Sequence, residues 1–268
     1  TGYENEVREA GGGYRTGWKL DAGLDAKVGV TPTLVLDATF RTDFAQVEAD
    51  TQRVNLTRFP IFFPEKRDFF LERIGFTRFG QQELGEVFYS RRIGLSADGE
   101  PVPIVGGARL TGNVGRTEVG VIAIRQDASA GLPETDFYVA RERHPLGARS
   151  SFGAIFTDRE GGPPGTEWNR AAGLDLDWKP TETLAFTAFW ATTRDPQGKP
   201  DTDGWRVSGQ FDDGAWNAYS SLKRYDEDFD PGIGFVPRTG ITNAFGRAGR
   251  RFYPAKGFVR EWEVGGEL

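Results

Sequence analysis

From Trp18 to Val30 apolar and polar residues alternate without a break. Trp18, Leu20, Ala22, Leu24, Ala26, Val28 and Val30 fall on one side, and Lys19, Asp21, Gly23, Asp25, Lys27 and Gly29 on the other. A period of two is the signature of a β-strand with one apolar and one polar face. At roughly 3.3 Å per residue the run would reach about 43 Å, beyond the usual soluble strand. Tilted near 45°, it would cross about 30 Å, the thickness of a bilayer core. Thr31, Pro32 and Thr33 then turn the chain, and Leu34, Leu36, Ala38 and Phe40 resume the pattern against Asp37, Thr39 and Arg41. The pair predicts two neighbouring staves of a membrane barrel.

A mean hydropathy of −0.49 does not oppose that reading, because only every second residue of a barrel strand meets lipid. No apolar run approaches the length of a spanning helix. The formal net charge of −6 leaves no basic block to neutralise phosphates, so nucleic acid is not an expected partner. With no cysteine, disulfides and zinc-thiolate sites are excluded. The Gly-rich, polar stretch 1–15 reads as a loop, and the absence of methionine reads as a piece of a longer chain that lacks a strand before Thr1.

Alternation and turn residues predict about a dozen strands, near 18–30, 34–44, 104–112, 118–125, 136–144, 151–157, 171–179, 184–193, 204–211, 215–225, 241–253 and 258–266. Short connections (31–33, 113–117, 146–150, 180–183, 212–214, 254–257) alternate with long ones (45–103, 127–135, 158–170, 194–203, 226–240). Periplasmic turns and extracellular loops sort by length in this way, whereas a soluble sandwich has no reason to. Trp178, Phe211, Trp216, Tyr253 and Phe258 flank short turns, and Trp18, Phe40, Phe44, Trp190 and Trp205 lie toward the opposite ends, as two aromatic girdles would. Lys19, Asp21, Asp25, Lys27, Asp37, Arg41, Arg109, Asp175, Asp177 and Lys179 are expected to face inward. Their mixed signs favour interlocking ion pairs or a hydrated, weakly selective lumen. The expected fold is an all-β, antiparallel up-and-down transmembrane barrel over 1–268, with an insert at 45–103.

Within that insert the alternation fails. Phe59, Phe62, Phe63, Phe69 and Phe70 crowd among prolines and charges, too much apolar surface to leave in water. An ordered segment inside or over the lumen is expected. The segments Phe63-Pro64-Glu65-Lys66-Arg67, Phe69-Phe70-Leu71-Glu72 and Phe88-Tyr89-Ser90-Arg91-Arg92-Ile93-Gly94 carry a resemblance. So do residues 43–50, 103–112 and Gly234-Phe235-Val236-Pro237-Arg238. Together they resemble an uncharacterised bacterial outer-membrane family in which a carbohydrate-binding domain similar to family nine precedes a barrel. The resemblance implies an outer-membrane location, dependence on the outer-membrane assembly machinery and, by association, a link to glycan binding or uptake. The chain departs from the family's usual Pro at Asp68 and its usual Gly at Arg73.

Each chemical constellation has a plainer reading beside the active one. Glu65 and Glu72 could serve as the two carboxylates of a glycosidase. Beside Lys66, Arg67, Arg91 and Arg92 they read more simply as ion pairs of a ligand or plug motif. Asp226, Asp228 and Asp230 offer oxygen ligands for calcium, but the spacing and terminal Glu of an EF-hand loop are missing, so a solvated acidic loop is the simpler reading. His144 is the lone histidine, which leaves no zinc cluster. Gly106-Gly107 precedes no helix and so lacks the frame of a phosphate loop. No cofactor is expected. The leading expectation is a surface anchor or conduit in the bacterial outer membrane, with lipid and carbohydrate as partners. The alternatives are a barrel-embedded glycan hydrolase and a soluble carbohydrate-binding β-domain.

Overall fold

A computed structural model describes residues 2–8, 14–20, 23–41, 59–81, 85–96, 101–129, 131–255, 258 and 260–268. Strands β1 (Gly2–Arg8) and β2 (Tyr14–Leu20) form a separate antiparallel hairpin. Then come β3 (Leu24–Gly29), β4 (Leu34–Phe40), the one-turn helix α1 (Asp68–Leu71), and the two-residue strands β5 (Gly80–Gln81) and β6 (Gly85–Glu86). The remaining strands are β7 (Ile104–Val114), β8 (Thr117–Gln126), β9 (Thr135–Leu146), β10 (Ser150–Glu160) and β11 (Trp168–Trp178). They continue with β12 (Leu184–Arg194), β13 (Asp203–Asp212), β14 (Trp216–Tyr225), β15 (Ile241–Phe252) and β16 (Trp262–Glu267). Twelve of these make one antiparallel sheet in the order β16-β15-β14-β13-β12-β11-β10-β9-β8-β7-β4-β3. Each strand pairs with its predecessor and successor in the sheet, so the topology is an uninterrupted meander, broken in sequence only by the insert between β4 and β7.

Two expectations about the first thirty residues need correction. The alternating run 18–30 is not one strand, since β2 ends at Leu20 and pairs with β1, while β3 begins at Leu24 and pairs with β4. Stretch 1–15 is not simply a loop, because it contains β1 and the start of β2. Period two encodes which face a side chain takes, not which strand lies alongside, and so could not reveal the change of partner. Residues 21 and 22 lie outside the described residues, as do most of the long connection before Phe59 and part of the turn 254–257.

The short turns are closed by their own side chains. Thr31 Oγ1 accepts from the Leu34 amide at 3.0 Å. Asp213 Oδ1 accepts from the amides of Ala215 and Trp216 at 2.9 and 2.6 Å, and Asp212 Oδ1 from that of Gly214 at 2.9 Å. Gly214 takes φ +87°, a conformation few other residues adopt without strain.

Burial alternates along the central strands, and the exposed face is rich in large apolar residues where that of a soluble sheet would be polar. One face carries Ile122, Ile124, Phe137, Val139, Ile155, Ala171, Phe189 and Ala191, all buried. On the same face Arg109, Thr111, Arg141, Thr157, Asn169, Thr193, Arg206 and Ser208 are buried as well. The other face leaves Val121, Tyr138, Phe152, Phe156, Leu174, Leu176, Trp190, Val207, Trp216 and Leu222 exposed. Large apolar side chains repeat over strand after strand with none of the described residues covering them, far beyond the scattered apolar residues of an ordinary surface.

Candidate functional site: the insert across the buried face

The insert begins with a buried charge network. Arg67 donates from Nε and Nη2 to Glu65 Oε1 and Oε2 at 2.9 and 2.7 Å, a fork-to-fork pair. Its Nη1 and Nη2 also reach the carbonyls of Ile93 and Ser90 at 2.5 and 2.8 Å. Ser90 Oγ donates to Glu65 Oε2 at 2.6 Å, and the amides of Lys66 and Arg67 reach Oε1 at 3.0 Å each. Burial pushes the Glu65 carboxyl up, but the hydrogen bonds and charge of Arg67 together with the Ser90 hydroxyl outweigh it and hold it below the usual range. The Arg67 guanidinium also lies 4.3 Å from the centroid of the Phe70 ring. Residues 65–70 are thereby tied to residues 90–93, at the other end of the insert.

Helix α1 follows at once. Asp68 is its first residue, where a carboxylate is favoured by the helix dipole and a backbone N–H is not needed for the helix. Arg73 takes φ +59°, the left-handed region that favours glycine.

The insert then crosses the sheet, one strand after another. Arg109 on β7 donates to Asp37 Oδ2 on β4 at 2.6 Å and to the carbonyls of Phe69 and Glu72. Lys27 on β3 pairs with Glu72 and lies 3.5 Å from Asp37. A methyl group on Gly120 of β8 would come within 2.5 Å of the Phe76 carbonyl, so close approach there requires glycine. Arg141 on β9 donates to the Arg78 carbonyl at 3.2 Å and to Asp175 Oδ2 on β11 at 2.6 Å. Phe79 lies over Gly173 of β11 and meets Phe189 of β12 edge-on, with centroids 5.8 Å apart. Gly85 sits against the Tyr225 hydroxyl at the end of β14.

At that far end the insert meets the connection 226–240. Glu86 and Phe235 exchange backbone hydrogen bonds at 2.9 Å, and the Tyr89 amide donates to the Ile233 carbonyl at 2.8 Å. Arg92 donates to the Gly234 carbonyl at 3.0 Å. Phe62, Tyr89 and Phe235 pack with centroids 5.2 to 5.4 Å apart. Tyr225 and Phe229 stack at 5.7 Å. Glu86 is buried here, and desolvation raises its carboxyl to about 7, with Arg78 opposing only in part.

The residues singled out in sequence therefore separate into distinct places. Glu65, Arg67 and Ser90 form one buried cluster. Glu72 stands with Lys27, Asp37 and Arg109, its carboxylate half exposed. Arg91 lies over the Phe63 ring at 5.8 Å, and Arg92 anchors the 226–240 connection. Asp226 takes Arg224 at 2.7 Å, Asp228 lies 3.4 Å from Lys199, and the Asp230 carbonyl accepts from Asn169 at 3.0 Å. Among the described residues no three His, Cys, Asp or Glu side chains gather where they could hold a metal. Of the inward charges, Asp37, Arg109 and Lys27 share one network, and Asp175 belongs to Arg141.

Sequence reasoning missed Glu86, Arg141, Tyr225 and Phe229. Arg141 could have been found from its inward parity with Val139, whereas Glu86 carries no local signal.

Residues 3–111 match a family model described as a domain of unknown function, DUF5916. The match takes in the Phe- and Arg-rich segments of the insert and the first sheet strands. No curated protein matches the chain. Among solved structures the chain is similar to the crystal structure of Pseudomonas aeruginosa OccK10 (OpdN), at 10% identity and a TM-score of 0.28, covering 98% of this chain and 89% of that one.

Proposed function

We propose that the chain is a β-barrel protein of the bacterial outer membrane, and that the insert braces and constricts its interior. The observation that carries the reading is the outward face, whose large apolar side chains stay exposed on strand after strand, while the inward face mixes apolar residues with arginines, hydroxyls and carboxylates, several of them paired. In water the outward face would leave these apolar side chains exposed, while in a bilayer they meet hydrocarbon. The alternation of short turns with long connections accords with it. The contacts of Phe69, Phe76, Phe79 and Gly85 with successive strands support a reading in which the insert narrows the interior, so that the protein acts as an anchor or a conduit rather than a wide pore. The link to glycans rests on the resemblance of the insert segments and deepens the reading toward carbohydrate binding or uptake.

Refolding into lipid vesicles tests the proposal. Leu174, midway along β11, points outward. Leu174→Arg should lower the free energy of folding into the bilayer by about 2–4 kcal/mol, as for a cation at the midplane. Glu182→Arg, in an exposed turn, should change it by less than about 0.5 kcal/mol. Heat-modifiable gel migration across a urea series reads both. Equal, small effects would show that the outward face does not meet hydrocarbon.

A further inference from the structure

The outward face is not evenly crowded. Over β13 to β16 two adjacent rows of cross-strand neighbours are small, with Ala218, Ala248 and Gly266 in one and Gly209 and Gly246 in the next. Phe186 of β12 and Phe211 of β13 stand at one side of them, and the result is a groove of about 650 Å³. A methyl group on Gly266 would meet nothing within 4 Å. A depression of this kind on a wall that faces hydrocarbon is filled by a chain or leaves its lining without contacts.

The groove ends at a cation. One row nearer the short turns, Arg250 of β15 is exposed on the same face, opposite Trp216 of β14. Its guanidinium lies 5.0 Å from the centroid of the Trp216 ring and 4.8 Å from that of Phe252. Phe252 in turn stacks on Trp262 at 4.2 Å. The carboxylates at that end of β15, Asp212 and Glu263, hold Arg251 on the other face at 3.1 Å each. Among the described residues none pairs with Arg250.

Aromatic rings of this kind mark the level of lipid headgroups, and a guanidinium among them matches a phosphate fork to fork. We propose that β13 to β16 hold a phospholipid with an anionic headgroup, its phosphate on Arg250 and an acyl chain in the groove. Short turns are periplasmic in barrels of this kind, so the lipid would come from the periplasmic leaflet. The inference rests on the bilayer reading of the outward face, and the experiment separates the two.

The experiment is thermal unfolding of the full chain in uncharged detergent, with dioleoyl phosphatidylglycerol, dioleoyl phosphatidylcholine or glycerol 3-phosphate added at one mole ratio. A ligand that binds only the folded state raises Tm. Phosphatidylglycerol should raise the Tm of the wild type by several degrees, at least twice the rise given by phosphatidylcholine. Glycerol 3-phosphate, which has the phosphate and no chain, should give none. Arg250→Gln should bring the phosphatidylglycerol response down to the phosphatidylcholine level. Ala248→Phe, which fills the groove and leaves the cation, should do the same, and Ala218→Phe replaces it if that variant does not fold. Equal responses of the wild type to the two lipids would overturn the site and leave the bilayer reading standing. No response to either lipid would overturn both. A glycerol 3-phosphate response matching that of phosphatidylglycerol would show a phosphate site without a lipid groove, and so overturn the inference. A phosphatidylglycerol excess that survives in Arg250→Gln or in the groove variant would overturn it too.

Discussion

Arg67→Met should destabilise the folded chain by about 3–5 kcal/mol, the usual cost of removing one partner from a buried ion pair. The loss exceeds that of a surface pair because the guanidinium serves four acceptors: both oxygens of Glu65 and the carbonyls of Ser90 and Ile93. Without it the Glu65 carboxylate stays buried with, among the described residues, Ser90 Oγ and two amides as donors, and two backbone carbonyls lose their donor. A second change separates charge from packing. In Arg67→Met with Glu65→Leu the stranded carboxylate is gone, so a large part of the loss should return. Urea unfolding in detergent micelles, followed by tryptophan fluorescence, measures both. A single-variant cost below about 1 kcal/mol would show that the cluster is solvated and does not hold the two ends of the insert together.

Stability should fall between about pH 4.5 and 7 because of Glu86. Its carboxyl titrates near 7 in the fold, against an ordinary value of 4.5. A raised carboxyl pKa means the folded state keeps its proton where the unfolded state has lost it. The favourable contribution is therefore complete below pH 4.5, declines as pH rises, and is gone above about 7. The difference amounts to about 3 kcal/mol. Glu65, whose folded pKa is lowered, acts in the opposite sense and contributes to loss of stability only as pH falls below its ordinary range. Glu86→Gln should abolish the decline above pH 4.5 and make the variant more stable than the wild type at pH 8. A decline unchanged by the substitution would place its source in another group.

The strand order was readable because each strand's period of two and each turn's Gly, Pro, Asp or Thr are local signals. The run from Ile104 to Glu267 accordingly lies in the structure much as its alternation indicates, with strand ends moved by a few residues. The split between β2 and β3 was not readable, because Trp18 to Val30 keeps one phase across a change of partner. The density of Phe59, Phe62, Phe63, Phe69 and Phe70 marked the insert as packed, and its charges as paired. Which pairs form was hidden, since Arg109 meets Asp37 and Phe69 across 72 and 40 residues of sequence. Glu86 draws its character from burial against distant strands, and Arg250 from the ring of its cross-strand neighbour Trp216. Neither is a property of the residues beside them in sequence.

Every claim about the membrane depends on what the outward face touches, and the tryptophans report on it. Trp178, Trp190, Trp216 and Trp262 are exposed on the sheet. In vesicles of phospholipid brominated on the acyl chains, the account predicts strong quenching of their fluorescence relative to unbrominated vesicles. Phenylalanine at Trp190 should remove a measurable share of the quenched signal. Fluorescence unaffected by brominated lipid, from protein that remains folded and dispersed without detergent, would contradict the account.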